Sequence, residues 1–549
     1  MEYYDLGSYR RKVTTTSADA QMWFDRGLAW SYSFNHEESL RCFRMAAQSD
    51  PHCAMAYWGA AYAMGPNYNK SWIRFDAEDM KKTSEEAVIV LEHARKAKNA
   101  EPAERALIEA MSARFPSESA IPGDPVLLNQ AYADAMARVF KDFGEDMDIA
   151  VLYADALMCI RPRQLWDLNT GKITGPDTVE AIRVLEVGLA HPRMRNHPAV
   201  CHLYIHAMEM SPFPEKAQVA ADRLRRLVPD GSHMQHMSTH IDIACGDYRR
   251  GIDSNHDAMV ADDKYFSQTK GSILYTAYRT HNISVLVYAA MMAGRSEPAI
   301  SAAKRLPEIL TPEILTIKSP PMVDWTEYQT GTLAHVLIRF GRWEEILELD
   351  LPTNQQLYSV TTATICYARG IALAALQRVE EAEAAKLEFY AARDAVPVDR
   401  QYGLVCSAST ALQVASSMLE GELEYRRGNY ETAFAHLRKG IELEDALPYA
   451  DPPAWMLPVR HALGALLLEQ GLVEEATELY KQDLGLSDKL PRRKARINNM
   501  WGLHGLYECF RRSGQEGEAR KIRSQRDIAV ASADVPVISS CFCRLSIKD

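Results

Sequence analysis

The sequence predicts an all-α protein, a solenoid in which antiparallel helix pairs wind into a right-handed superhelix. Three observations predict it. Apolar residues recur at helical spacing in one segment after another, as in AIRVLEVGLA (181–190) and VRHALGALLLEQG (459–471), while strand-like alternation is scarce. Glycine or proline punctuates that pattern at short intervals, as many short helices require. A 34-residue period is also visible, which favours one repeat array over the several domains that the 549-residue length alone suggests.

The segments follow in order. In residues 1–100, the unit 20–53 carries Trp23, Gly27, Trp30, Ser39, Phe43, Ala46 and Pro51. This spacing resembles the tetratricopeptide repeat, in which large and small residues alternate so that helix A packs on helix B. Residues 101–196 are helical but fit the period poorly and read as an irregular section. Residues 197–310 return to the period, with Gly246 and Gly294 at A–B turns and Ala299 following. Residues 311–530 continue it with Gly341, Gly428, Gly471 and Gly514, and with Ala433, Ala476 and Ala519. Residues 531–549 form a tail. Its Cys541 and Cys543 read as a stray pair, with a metal or redox pair as the alternative.

Composition narrows the function classes. The chain has 62 Lys+Arg against 73 Asp+Glu, a net charge of -11, which disfavours a sequence-independent grip on nucleic acid. Its 47% hydrophobic and 25% charged residues are those of an ordinary globular protein. Ten cysteines are too scattered for a disulfide framework. The first residues have no apolar signal core, and VLVYAAMMA (285–293) is too short to span a membrane. The expectation is a cytoplasmic protein without a membrane or nucleic-acid partner. No P-loop, dinucleotide fingerprint, G-x-S-x-G elbow or kinase signature appears, so no nucleotide cofactor is expected.

A narrower resemblance runs along nearly the whole chain. It is carried by FNHEESLRCFRMAAQSDPHCAMAYWGAAYAMGPNYN (34–69), HLYIHAME (202–209), HMSTHIDIACGDY (236–248), HNISVLVYAAMMAGRS (281–296), RFGRWEEIL (339–347) and DPPAWMLPVRHALGALLLEQG (451–471). These segments resemble the tetratricopeptide repeat protein 38 family. The resemblance implies the helical-repeat fold and no settled reaction. In repeats of this kind, the second, fifth and ninth places of helix A face a concave, ligand-binding groove.

The histidines carry the chemistry. Nine of the 16 lie between residues 191 and 281. His202 with His206, and His236 with His240, are i,i+4 pairs, so each pair projects from one helical face. The pairs stand 34 residues apart (202→236, 206→240) and so occupy equivalent places in adjacent repeats. His233 and His281 fall at second places of their units, and His335, His461 and His504 at fifth or ninth places of later ones. Four or five imidazoles on one stripe would leave many half-satisfied polar groups unless something ties them together. A transition metal does so. The candidate ligands are His202, His206, His236, His240 and His281. Glu209, one turn beyond His206, His233, and His36 at the first A–B turn are the candidate catalytic groups. Asn35, Glu37 and Glu38 share that turn, and the GPNYN stretch (65–69) would join them at the site if the superhelix curls tightly.

Neither HLYIH nor HMSTH has the Glu of H-E-x-x-H, so the site is not a zincin. Few carboxylates and many imidazoles favour copper first, with zinc or iron as alternatives. A single ion needs three or four of these histidines. Two copper ions held by three each would use His202, His206, His233, His236, His240 and His281. Two functions stay open. One is a metal-dependent enzyme that oxidises a small organic substrate with O₂, with hydrolysis by the same metal as sub-alternative. The other is a scaffold holding a peptide or protein partner in its groove. Trp58 reads as packing or groove wall, and Arg460 as a carboxylate clamp or a surface salt bridge.

Overall fold

The structure is a computed structural model that describes residues 3–97, 99–115, 124 and 126–545. Apart from a two-residue hairpin pairing Gln401–Tyr402 with Cys406–Ser407, and a Trp166–Ile173 bridge, the described residues are helices and their connections. The chain divides into two units. The first is Met1–Ile241 with Asp257–Tyr275, and the second is Asp242–His256 with Thr276–Asp549.

In the first unit, successive helices pack as antiparallel neighbours. Ala18–Tyr32 lies on His36–Ser49, and Ala54–Met64 on Ala77–Lys96. The section that fits the period poorly still forms helices, Val126–Phe143, Met147–Met158 and Pro176–Ala190, each on the next. Side-chain caps set several starts by accepting amide hydrogens the helix cannot satisfy: Ser17, Asn35, Asp76 and Asp146. Pro102, Pro176 and Pro198 open helices at the first turn, where a missing N–H costs nothing. One long-range contact matters for the site. Helix Ala18–Tyr32 also packs on helix Pro198–Met208, which brings Tyr32 to His202.

Large-on-small packing explains the repeat spacing. The Phe43 ring fills the space over Gly27 and Gly59, where an added Cβ would lie 2.8 and 2.4 Å from it. Trp30 and Trp58 are buried, and Trp58 stacks on Tyr62 at 5.4 Å. Trp23, Tyr57 and Trp343 are only half-buried.

In the second unit the pairs are Ser359–Ala375 with Val379–Asp394, Ala408–Arg426 with Tyr430–Ala446, Val459–Glu469 with Val473–Asp483, and Met500–Arg512 with Glu516–Ala531. Tyr480 plays the part of Phe43 here, under Gly464 and Gly505. Gly246, Gly294, Gly341, Gly428, Gly471 and Gly514 all stand at helix ends with φ between +64° and +81°. There glycine escapes the Cβ penalty, and the following amide reaches back to the helix, as Asp247 N does to Asp242 O at 2.8 Å. The tail pair Cys541 and Cys543 forms a disulfide.

Candidate metal centre

Helix Pro198–Met208 starts at His197, whose Nδ1 accepts the Ala199 amide at 3.2 Å. From there His202 and His206 point into the first unit, each 1% exposed. His202 Nδ1 lies 2.7 Å from the Tyr32 carbonyl oxygen. A carbonyl only accepts, so Nδ1 carries the proton and Nε2 is a bare lone pair. His206 Nδ1 lies 2.9 Å from Glu209 Oε1, and the same argument leaves its Nε2 bare. Among the described residues neither Nε2 meets a hydrogen-bond partner, although both are buried. The ring nitrogens of His202, His206 and His233 offer one ligand atom each, all within 4.8 Å of one another. Among the described residues this group could hold a metal ion.

Glu209 ties a second pair to the first. Its Oε2 lies 2.9 Å from His240 Nδ1, so one carboxylate accepts from two imidazoles. Burial works against its charge, but the facing His240 and His206 hold it well below the usual carboxylate range. Both oxygens of Glu209 are thus committed to imidazoles, and the carboxylate holds the two rings in place. His240 Nε2 lies 3.0 Å from His236 Nε2. Burial and then the proximity of His206 push His202 well below an ordinary imidazole, and burial likewise lowers His206. His233 is lowered in the same way, by burial first and then by His202. Neutral rings are the form that binds metal.

Several residues that shape the site carry no metal-ligand signature in the sequence. The Phe34 ring lies 4.5 Å from His202, 5.2 Å from His233 and 5.8 Å from His206. Tyr68, from the GPNYN stretch, lies 4.7 Å from His206. Behind Tyr32, the buried Asp148 accepts from the Tyr32 hydroxyl at 2.5 Å, the Tyr9 hydroxyl at 2.5 Å, Arg11 Nη1 at 3.0 Å and His197 Nε2 at 3.2 Å.

The other sequence candidates lie elsewhere. His36 is half-buried, with its ring 6.3 Å from that of Phe34 and its Nε2 3.4 Å from Asn67 Nδ2. Burial, then the Arg114 charge, push His36 down to about 4. His281 belongs to the second unit, on helix Ile273–Met292. In that unit His335 packs edge-on against Trp455 and is pushed down to about 4 by burial. His461 bridges Arg339 Nη1, at 3.1 Å from its Nδ1, and Asp483 Oδ2, at 2.8 Å from its Nε2. His504 is half-buried, with Arg526 3.3 Å from its Nδ1. Arg460 spends its fork on Asp445, at 2.7 Å twice. His52, His93, His191 and His256 are exposed.

No known family profile matches the chain, and neither does any curated protein. Solved structures that it resembles include the human IFIT1 dimer with m7Gppp-AAAA, at 13% identity and TM-score 0.34, over 95% of this chain and 97% of that one. Yeast Tom70 follows at 11% identity and TM-score 0.30, over 94% and 99%. The TPR domain of P58(IPK) gives 14% identity and TM-score 0.18, over 77% and 99%. Likeness at this level says nothing about ligand or partner. No helix among the described residues is long and apolar enough to cross a membrane.

Proposed function

We propose that this protein is a helical-repeat binding protein that carries a transition-metal ion on His202, His206 and His233. The observation that carries the reading is the pair of bare, buried Nε2 atoms on His202 and His206, each fixed by a proton donated from the opposite ring nitrogen. Metal-ligating histidines present themselves in this way, braced by a carbonyl or a carboxylate. An all-imidazole set suits copper first, then zinc or iron. When bound, such an ion would supply Lewis acidity or, as copper or iron, electron transfer. Tyr32 and Glu209 would hold the rings in place. We further propose membership of the tetratricopeptide repeat protein 38 family, on the segments quoted above.

Burial of all three rings to 1% exposure favours a closed ion that stiffens a scaffold for a peptide or protein partner. Oxidation of a small organic substrate with O₂, or hydrolysis by the same ion, is the second reading. It is favoured by the imidazole-rich surroundings, in which His236 and His240 stand beside the three ligands. Metal analysis of the purified chain tests the shared core of both. Stoichiometric metal is expected, and His202→Ala should lose the ion held by these three histidines. Wild-type protein that stays metal-free after copper or zinc is offered would sink it. Oxygen uptake by the loaded protein then separates the two uses, since a closed scaffold ion consumes none.

A further inference from the structure

We propose a second transition-metal position at His236 and His240, beside that of His202, His206 and His233, with Glu209 bracing both. The inference rests on the metal reading above. Glu209 Oε1 takes the Nδ1 proton of His206 at 2.9 Å, and Oε2 takes that of His240 at 2.9 Å. One carboxylate therefore orients an imidazole of each group and turns both Nε2 lone pairs away from itself. His240 Nε2 then faces His236 Nε2 at 3.0 Å. Two nitrogens bound to one ion at about 2.0–2.1 Å, near a right angle, stand about 3 Å apart. The i,i+4 pair thus has the bite of a chelate before any ion is present.

The two groups are adjacent and distinct. His233 and His236 stack at 5.9 Å and 24°, and His206 and His240 lie 6.1 Å apart between ring centroids. No one ion reaches across such a spread with good bonds to every ring, whereas two ions divide the five imidazoles between them. The chemistry of the second position is that of the first: imidazole nitrogens, fit for copper or zinc. Glu209 acts on both as a second layer, setting ring orientation and basicity.

The test uses the full chain, loaded with Cu²⁺, freed of excess by gel filtration, and counted by mass spectrometry. Two ions per chain are expected for wild type and one for His236→Ala. Electron paramagnetic resonance of the copper-loaded wild type should show spin coupling that His236→Ala abolishes. Glu209→Gln, which cannot accept from both rings, should weaken both ions about 10–100-fold. One ion per chain in wild type, without coupling, overturns the second position and leaves the first intact. It would make the His236–His240 contact a simple N–H···N hydrogen bond. No ion at all overturns both. Should His236→Ala fail to fold by circular dichroism, the wild-type count and coupling still decide.

Discussion

The ring of Phe34 lies 4.5 Å from the imidazole of His202, and it reaches that place from a left-handed backbone with φ of +56°. Phe34 ends its helix as the six turn glycines end theirs, with the Asn35 amide reaching back to Trp30 O at 3.0 Å. A bulky residue in this conformation costs about 1–2 kcal/mol relative to glycine. The strain places an apolar face against His202, His206 and His233.

Substitution at Phe34 should therefore separate backbone from side chain. Phe34→Ala loses the ring and keeps the strain. Phe34→Gly loses the ring and relieves it. The glycine variant should be the more stable of the two by about 1 kcal/mol in urea unfolding, despite its greater freedom when unfolded. Both should admit azide or free imidazole to the loaded metal, read as a spectral shift absent from wild type. Equal stability of the two variants would remove the strain argument.

Close packing at Gly59 gives an independent test of the repeat. A Cβ there would stand 2.4 Å from the Phe43 ring. Gly59→Ala should cost about 1–3 kcal/mol by overpacking. Adding Phe43→Leu should recover part of that loss, because the two sites share one space. Strictly additive losses in thermal unfolding would mean that the ring and the glycine do not compete.

The fold was legible because its signals are local. Helical periodicity and turn glycines are written within a few residues, and the Gly27–Phe43 pairing within one 34-residue unit. The imidazole pairs at 202/206 and 236/240 were legible for the same reason. Their orientation was not, because it depends on Tyr32, 170 residues away in sequence, offering a carbonyl, which any residue has. Glu209 was visible as a neighbour of His206, but not as a brace shared with His240. Phe34 carried one signal that could have been used, a bulky residue at a turn place where other repeats take glycine. His197 carried another, sitting before a proline at a helix start. The turn that carries His36 does approach the cluster, and Phe34 is the residue of that turn whose ring lies against His202, His206 and His233.

Glu327, in the second unit, gives a pH dependence of definite sign. Its Oε1 accepts the Thr361 amide at 2.9 Å and its Oε2 the Val360 amide at 3.3 Å, at the start of helix Ser359–Ala375. Burial outweighs these bonds and the Arg400 charge and pushes the carboxyl up to about 7 from 4.5. A raised folded pKa adds stability below 4.5 that is lost as pH rises through 7. The loss amounts to about 3 kcal/mol. The melting temperature of wild type minus that of Glu327→Gln should fall between pH 5 and pH 8. A difference that does not change with pH would contradict it.

Asp148 should couple stability to the metal centre, and two variants tell how. It accepts four hydrogen bonds, from Tyr32, Tyr9, Arg11 and His197, and is 5% exposed. Burial opposes its charge, yet His197 and Arg11 hold its carboxyl below the usual range, so its contribution is present above 3.8 and lost as pH falls. Asp148→Asn leaves Arg11 and His197 facing an uncharged amide, a loss of about 3–5 kcal/mol for a broken buried pair. That side of Tyr32 then loosens, and its carbonyl no longer fixes the His202 tautomer. Metal affinity should fall with stability. Tyr32→Phe removes only the hydroxyl bond, costing about 1 kcal/mol, and leaves the carbonyl where it is. Its metal affinity should stay within a few-fold of wild type in competition with a chelator. If Tyr32→Phe lost metal as fully as Asp148→Asn, the hydroxyl itself would be acting on the site, and the carbonyl would not be the link.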